Sequence, residues 1–371
     1  MPELFAGLMS GTSLDGVDGV LVDFSGQGLQ VLAHVSAPIP TALQDELLAL
    51  NRSGPNELHR AALAANALVR IYATVVAELL QRTGLGPEQV RAVGAHGQTV
   101  RHQPLAFDGT GYTLQLNNPA LLAELGGIDV VADFRSRDLA AGGQGAPLVP
   151  AFHQSVFADE KQHVAILNVG GMANLSVLGP RSSGEVLGFD TGPGNVLMDA
   201  WCQQHLHQPF DAHGAWAATG TVQPLLLASL LGEPFFAQAP PKSTGRDLFH
   251  SAWLQAHLQQ HASLAGADVQ ATLAELTARS AAEALVQQGP VCRRLVVCGG
   301  GALNEHLMGR LQALLPGVEV CSSQALGLPP QQVEATAFAW LARNTVLGQP
   351  SSLPKVTGAR GARILGAVYP A

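Results

Sequence analysis

The 371 residues predict an α/β protein of two domains built on a duplicated core. Apolar runs at 4–9 and 17–24 flank a loop of small and acidic residues, Ser10-Gly11-Thr12-Ser13-Leu14-Asp15-Gly16, and read as two strands joined by a turn. The same strand, glycine turn, strand pattern returns at 164–178 around Gly170-Gly171-Met172-Ala173-Asn174. A βαβ unit at 295–321 carries Gly299-Gly300-Gly301 where strand meets helix, the usual place for a nucleotide in such a sheet. The repeated hairpin predicts a ligand gripped between two halves, each lending one phosphate loop.

In chain order, a third strand is expected at 29–36, ended by Pro38-Ile39-Pro40. Residues 57–83 follow a helical pattern through Leu58, Leu63, Leu68, Ile71, Val75 and Leu79 and close on Gly84. Strands at 90–95, 112–116 and 128–132 mix with a helix at 119–125 that has Asn118 as its cap and Pro119 at its first position. The glycine-rich stretch 140–150 marks the expected boundary between domains 1–140 and 141–371. Beyond it come strands at 164–169 and 175–178 and a helix at 196–205. Asp268 is expected to cap a helix over 269–288 that ends at Gly289-Pro290. Strand 295–298, helix 303–315 and strand 318–321 form the βαβ unit, and a last helix spans 331–346. The tail at 347–371 has the first domain as a candidate packing partner, although its composition does not require this.

Composition excludes several function classes. With 47% hydrophobic and 13% charged residues the chain is globular, and a net charge of −8 provides no basic excess to neutralise nucleic-acid phosphates. Cys202, Cys292, Cys298 and Cys321 form no C-x-x-C pair, the pattern of reduced thiols in the cytosol. No basic residue precedes the first apolar run, which argues against a signal peptide. The best candidate membrane segment, 225–231, is too short to span. A soluble cytoplasmic protein without membrane or nucleic-acid partners is therefore expected. Its oligomeric state is open, a homodimer included. His257 and His261 stand at a zinc-compatible spacing, but no third ligand suggests itself and solvated histidines are expected.

The first loop has a specific chemistry. Gly11 and Gly16 allow consecutive backbone N–H groups to face one way, and Ser10, Thr12 and Ser13 add hydroxyls, a combination that binds phosphate. Asp15 and Asp18 would repel a bare phosphate but accept one carrying magnesium. The competing reading is an ordinary hairpin turn. Two familiar nucleotide signatures are missing: none of Lys161, Lys242 and Lys355 follows a glycine as a P-loop requires, and no G-x-G-x-x-G occurs.

Three glycine turns at strand ends resemble the two phosphate loops and the adenosine loop of the superfamily of actin, Hsp70 chaperones and sugar kinases. The likeness narrows with Gly7-Leu8-Met9-Ser10-Gly11-Thr12-Ser13-Leu14-Asp15-Gly16-Val17-Asp18, which is similar to the opening signature of the anhydro-N-acetylmuramic acid kinase family. Residues 94–99, Ala132-Asp133-Phe134-Arg135, 142–147, Gly188-Phe189-Asp190-Thr191-Gly192-Pro193-Gly194-Asn195, Lys242-Ser243-Thr244-Gly245-Arg246 and 297–304 follow in the family's order, with 327–340 extending it into the tail.

The resemblance implies a duplicated actin-like (ribonuclease H-like) ATPase fold, two domains around a central cleft. It implies ATP and Mg²⁺ as cofactors, held by residues 11–18, Gly170, Gly171, Asn174 and Gly299 to Gly301, with Asp15 on the magnesium side. The implied reaction opens the 1,6-anhydro bridge of 1,6-anhydro-N-acetylmuramic acid with water and phosphorylates O6, a step of cell-wall recycling. Asp190 would be the catalytic base; on the residues alone a helix-capping aspartate is equally open. His96, Gln98, Asp133, Arg135, Gly192, Gly194, Asn195 and Glu334 become candidate sugar contacts. For Arg135 the alternative is a salt bridge with near neighbours, and for Glu334 a first-turn acid favoured by the helix dipole. Two other classes compete: an actin-like or chaperone-like ATPase with a conformational output, which this length disfavours, and a sugar-binding repressor, for which no spare amino-terminal helix-turn-helix is seen.

Overall fold

The computed structural model describes residues 2–371 except Thr12, Ser13, Asp15, Gln27, Pro241, Arg246, Asp247, Ala262, Ser263, Gly289, Pro290 and Val291. The chain divides into two compact units, Met1–Phe152 with Gln332–Ala371, and His153–Gln331. This differs from the expected boundary at 140/141. The glycine-rich stretch is tied into the first unit by Gln144 N–H to the Thr357 carbonyl and Arg360 N–H to the Ala141 carbonyl. Asp138, fully buried, also accepts from the Thr357 hydroxyl at 2.9 Å.

The first unit opens with β1 (Leu4–Ser10), β2 (Gly16–Asp23) and β3 (Gln30–Pro38), then α1 (Thr41–Ala49) and α2 (Glu57–Thr83). It continues through β4 (Val90–Ala95), β5 (Gln98–Pro104), β6 (Gly111–Leu116), α3 (Pro119–Gly126), β7 (Val130–Ala132) and α4 (Ser136–Ala140), and α5 (Val149–Phe157) carries the chain past Phe152 into the second unit. Helix α2 has the predicted bounds because its apolar spacing is regular and Gly84 ends it in the left-handed conformation at φ 68°. Its inner face, including Leu68, Tyr72, Val75 and Leu79, packs with Leu4, Ala6 and Leu8 of β1, each such buried large side chain contributing roughly 1.5–3 kcal/mol. By length and composition α2 could also cross a membrane, contrary to the expectation that no segment could. Here it is the core helix of the sheet, which explains its apolar content.

The second unit holds β8 (Val164–Val169), β9 (Met172–Leu178), β10 (Val186–Pro193), α6 (Val196–Leu206), α7 (Pro224–Leu231), α8 (Ser251–Leu258), α9 (Gly266–Gln288), β11 (Arg294–Cys298), α10 (Glu305–Leu314) and β12 (Glu319–Ser322). Asp268 lies inside the first turn of α9 rather than capping it. Its carboxylate accepts from the Thr221 N–H at 2.8 Å and the Gln223 amide at 3.1 Å. The expected end of α9 at Gly289-Pro290 lies outside the described residues. The chain then returns to the first unit with α11 (Val333–Val346), α12 (Pro354–Thr357) and β13 (Ala367–Tyr369), and β13 pairs antiparallel with β7. The tail thus completes the first sheet.

The two main sheets run β13-β7-β4-β1-β2-β3 and β10-β9-β8-β11-β12. In each, three consecutive strands form an antiparallel meander, and two later strands join in parallel beyond the first of them. That order, present twice in one chain, is the duplicated ribonuclease H-like, or actin-like, ATPase fold. Opposite α2, the first sheet is covered by α11, whose Ala335, Phe338 and Ala342 pack on Phe5, Ala92 and Val131. Side chains alternate across the strands, so β1 serves both faces.

Candidate active site

In the second unit the reactive features gather at the strand ends of one sheet. Cα partners run from Cys298 to Asn168, from Asn168 to Asn174, and from Asn174 to Asp190, a polar row across β11, β8, β9 and β10. Their neighbours Leu167, Val169, Ala173, Leu175 and Phe189 point into the core under α9, so the row lies on the opposite face. Asp190 is therefore a strand residue and not a helix cap, the cap of α6 being Asn195. Directly after it the pairing slips, with Gly192 opposite Ala173, leaving Thr191 as an extra bulge residue that donates its hydroxyl to the Ala173 carbonyl at 3.3 Å. A bulge bends the strand and re-aims the side chain beside it. Asn168, which the sequence did not single out, stands one step along this row.

The segment after α7 adds a second restraint. Asp190 N–H donates to the Lys242 carbonyl at 3.1 Å, and Thr244 N–H donates to Asp190 Oδ2 at 2.9 Å. Lys242 itself donates to the carbonyls of Phe235 at 3.3 Å and Phe236 at 3.1 Å, with its ammonium 4.7 Å from the Phe235 ring centre. Burial lowers its pKa, opposed by the charge of Asp190. Arg246 of the same motif lies outside the described residues.

The glycine turns of this unit fit a phosphate cradle. Asn195 N–H donates to the Gly170 carbonyl at 2.8 Å and Gly194 N–H to the Gly171 carbonyl at 2.9 Å, so the β8–β9 turn is strapped to the turn that opens α6. A Cβ at Gly194 would stand 2.3 Å from the Gly170 oxygen. Gly299, at φ 75°, is equally constrained, with the Val169 oxygen 2.7 Å from where its Cβ would be. A side chain at Gly300 would meet only the Asn195 amide, 3.5 Å away. The backbone of these turns is open to a ligand on that side, as nucleotide phosphates require.

In the first unit the hairpin loop divides. Thr12, Ser13 and Asp15, with the proposed magnesium contact, lie outside the described residues. Ser10 is buried and turns inward, its hydroxyl 2.9 Å from the Tyr72 hydroxyl and 3.2 Å from the Gly97 carbonyl, so it braces the loop from below and does not face an anion. Leu14 and Val17 bury their side chains in the core, leaving only backbone to a ligand. Leu14 is held in the left-handed region at φ 61°, a strained position for a branched residue. Gly16 is pressed against β3, where the Ala37 oxygen lies 2.9 Å from its Cβ position. The Asp18 carboxylate is engaged across the ladder by Ser36 and by His34 at 3.1 Å.

His96 and Arg135 do meet. Gln98 opens β5 rather than lying in a loop. Arg135 directs Nη2 and Nε at His96 Nε2, at 3.0 and 3.3 Å, and Nη1 at the Gly145 carbonyl at 2.7 Å. An arginine can only donate, so Nε2 accepts and the proton of a neutral ring sits on Nδ1. Burial, and then the charge of Arg135, push the His96 pKa well below its ordinary value. His96 Nδ1, Gln98 Oε1 and Asn117 Oδ1 are all buried without a hydrogen-bond partner, a donor and two acceptors that fit a polyhydroxylated ligand. Asn117 was missed in the sequence because it precedes the cap Asn118 and reads as part of that cap. Asp133, at φ 58°, accepts from the Ser136 hydroxyl at 2.6 Å at the start of α4 without capping the helix, and Glu334 is half-buried in the first turn of α11. Of the zinc-spaced pair, His257 lies in α8 with Nδ1 2.8 Å from Ser229 Oγ, and His261 lies beyond its end. Among the described residues no group of three His, Cys, Asp or Glu could hold a metal.

The buried imidazoles make stability depend on pH. His153, fully buried, is pushed down to about 3 by burial, and His102 to about 4 by burial and by Arg135. The unfolded chain binds protons on these rings from about pH 6.5 downward while the folded chain does not. Stability is thus intact above that pH and is lost on acidification, His153 alone accounting for about 1.4 kcal/mol per pH unit. Thermal melting is expected to fall from pH 7 to pH 5, with a shallower slope in His153→Gln; equal slopes would contradict the assignment.

Comparison with known proteins identifies the family. A sequence model of the anhydro-N-acetylmuramic acid kinase family matches residues 3–371. The anhydro-N-acetylmuramic acid kinase of Albidiferax ferrireducens is 67% identical over 389 aligned positions, covering 100% of both chains. That of Variovorax paradoxus is 63% identical, covering 100% of this chain and 99% of its own, and that of Bordetella pertussis is 58% identical, covering 100% and 96%. With this match from one end to the other, on a duplicated ATPase fold, the chain belongs to the anhydro-N-acetylmuramic acid kinase family.

Proposed function

We propose that this chain is a cytoplasmic ATP-dependent kinase that opens the anhydro bridge of 1,6-anhydro-N-acetylmuramic acid with water and phosphorylates O6. The products are N-acetylmuramic acid 6-phosphate and ADP, in the recycling of cell-wall sugars. The observation that carries this reading is the bulge-aimed Asp190 in a unit whose two glycine turns, Gly170-Gly171 and Gly299 to Gly301, fit phosphate. Asp190 removes a proton from water as its oxygen bonds to C1. The C1–O bond breaks with its electron pair remaining on the oxygen of C6. When bound, ATP supplies the phosphoryl group that takes up this oxygen, so no second carboxylic acid is needed to protonate it. In the second unit Gly170, Gly171, Asn174 and Gly299 to Gly301 are the residues that would hold the nucleotide phosphates and adenosine; in the first unit residues 11–18 are the phosphate loop. Asp15 would be the carboxylate offered to a phosphate-bound magnesium ion.

On the sugar side, His96 donates through Nδ1, Gln98 accepts, and Arg135 meets the lactyl carboxylate while keeping His96 neutral. Asp133 and Glu334 are the further candidates in the first unit, and Gly192, Gly194 and Asn195 those in the second. The test is ADP release from ATP with and without 1,6-anhydro-N-acetylmuramic acid. Strong dependence on the sugar is expected. Equal turnover without it would overturn the kinase reading in favour of a conformational ATPase.

A further inference from the structure

Thr244 occupies a position that the reaction as described leaves unexplained. Its N–H donates to Asp190 Oδ2 at 2.9 Å, yet its hydroxyl, shielded from solvent, has no hydrogen-bond partner. A buried hydroxyl left unmade costs about 1–3 kcal/mol, so such a group in a well-packed site marks a place where a ligand supplies the partner. The segment carrying it is not loose. Lys242 fixes one end to the carbonyls of Phe235 and Phe236, and the Lys242 carbonyl accepts from Asp190 N–H. Thr244 is thereby held by its own backbone against the carboxylate that acts as base.

The geometry points to Thr244 as a positioning residue for the hydrolytic half of the reaction: its N–H orients the Asp190 carboxylate, and its hydroxyl accepts from or donates to the attacking water. This rests on the reading of Asp190 as base. In the step, one water proton passes to Asp190, the water oxygen bonds to C1, and the Thr244 hydroxyl keeps its proton throughout. A methyl in place of that hydroxyl leaves the backbone bond intact but removes the restraint on the water.

Sugar-dependent ADP release, with ATP and sugar KM values and melting temperature, is to be measured for Thr244→Val, Thr244→Ala and Thr244→Ser. Val and Ala are expected to lower kcat about 30-fold with both KM values within about twofold of wild type, and Ser to recover it to within about threefold. A Val or Ala variant that folds, binds ATP and keeps kcat within threefold overturns the proposal. So does a Ser variant as slow as Val, since shape rather than the hydroxyl would then matter. Asp190→Asn, assayed alongside, separates the two ideas: if it keeps turnover, the base assignment itself has failed, whatever Thr244 does.

Discussion

Asp190→Asn is expected to lower sugar-dependent ADP release about 10³-fold while leaving ATP binding intact. A carboxamide has nearly the shape of the carboxylate and still offers an oxygen to the Thr244 N–H, so the bulge at Thr191 and the Lys242–Thr244 restraint both survive. What is lost is basicity, because an amide takes no proton near neutral pH. The Gly170-Gly171 turn proposed for the nucleotide is tied to Gly194 and Asn195, not to Asp190, and titration calorimetry with ATP should show little change. Asp190→Glu tests placement instead. It keeps the charge but displaces it by about one methylene, and a loss of about 10²-fold is expected since the bulge fixes the direction of approach. A rate near wild type in the Asn variant would remove Asp190 from the role of base.

Elements whose stability comes from local pattern could be read directly. Helix α2 combines regular apolar spacing with a left-handed Gly84, and the two hairpins combine apolar runs with glycine turns, so the helix bounds and the hairpin pairing follow from short-range physics; the second hairpin is tighter than expected, with Met172 to Asn174 in β9 rather than in the turn. The share of the chain ends in one unit could not be read this way. It depends on β13 pairing with β7 and on Thr357 meeting Asp138, contacts between residues more than two hundred positions apart. Strand β5, Gln-Thr-Val-Arg-His-Gln-Pro, was invisible because only Val100 is an apolar inward residue and its other side chains serve a polar surface.

The site divides in the same way. The three glycine turns stand out by residue type and spacing, and Asp190, His96 and Arg135 through the family resemblance of the motifs that carry them. The bulge at Thr191, the strand row through Asn168 and the orphaned hydroxyl of Thr244 do not, because each is a property of register or burial. Ser10 shows the converse. In sequence it belongs to an anion-binding loop, but strand geometry turns it toward Tyr72 and Gly97.

Gly7→Ala is expected to destabilise the first unit by about 3 kcal/mol, a large effect for one methyl group. A Cβ at Gly7 would stand 2.0 Å from the Ala335 carbonyl oxygen and 2.6 Å from the Ala339 nitrogen, so α11 lies with its backbone directly on β1. Gly94 on β4 repeats the contact one turn along, with the Phe338 oxygen 2.1 Å from its Cβ position. Neither obstacle is a side chain that can rotate away, and relief requires the whole helix to lift from the sheet. Gly19 gives the control. Its added methyl would meet the Val75 and Leu8 side chains on the other face, which can shift, so Gly19→Ala should cost less. Because Gly7→Ala and Gly94→Ala would be relieved by the same displacement of α11, their costs should not add: once the helix has lifted for one methyl, the second meets less resistance. The same displacement carries Glu334, in the first turn of α11, away from its place. Melting curves of the two single variants and the double variant, read beside their sugar KM, test the coupling. Full additivity with unchanged KM would mean that α11 stays seated and that the strain is absorbed within the sheet.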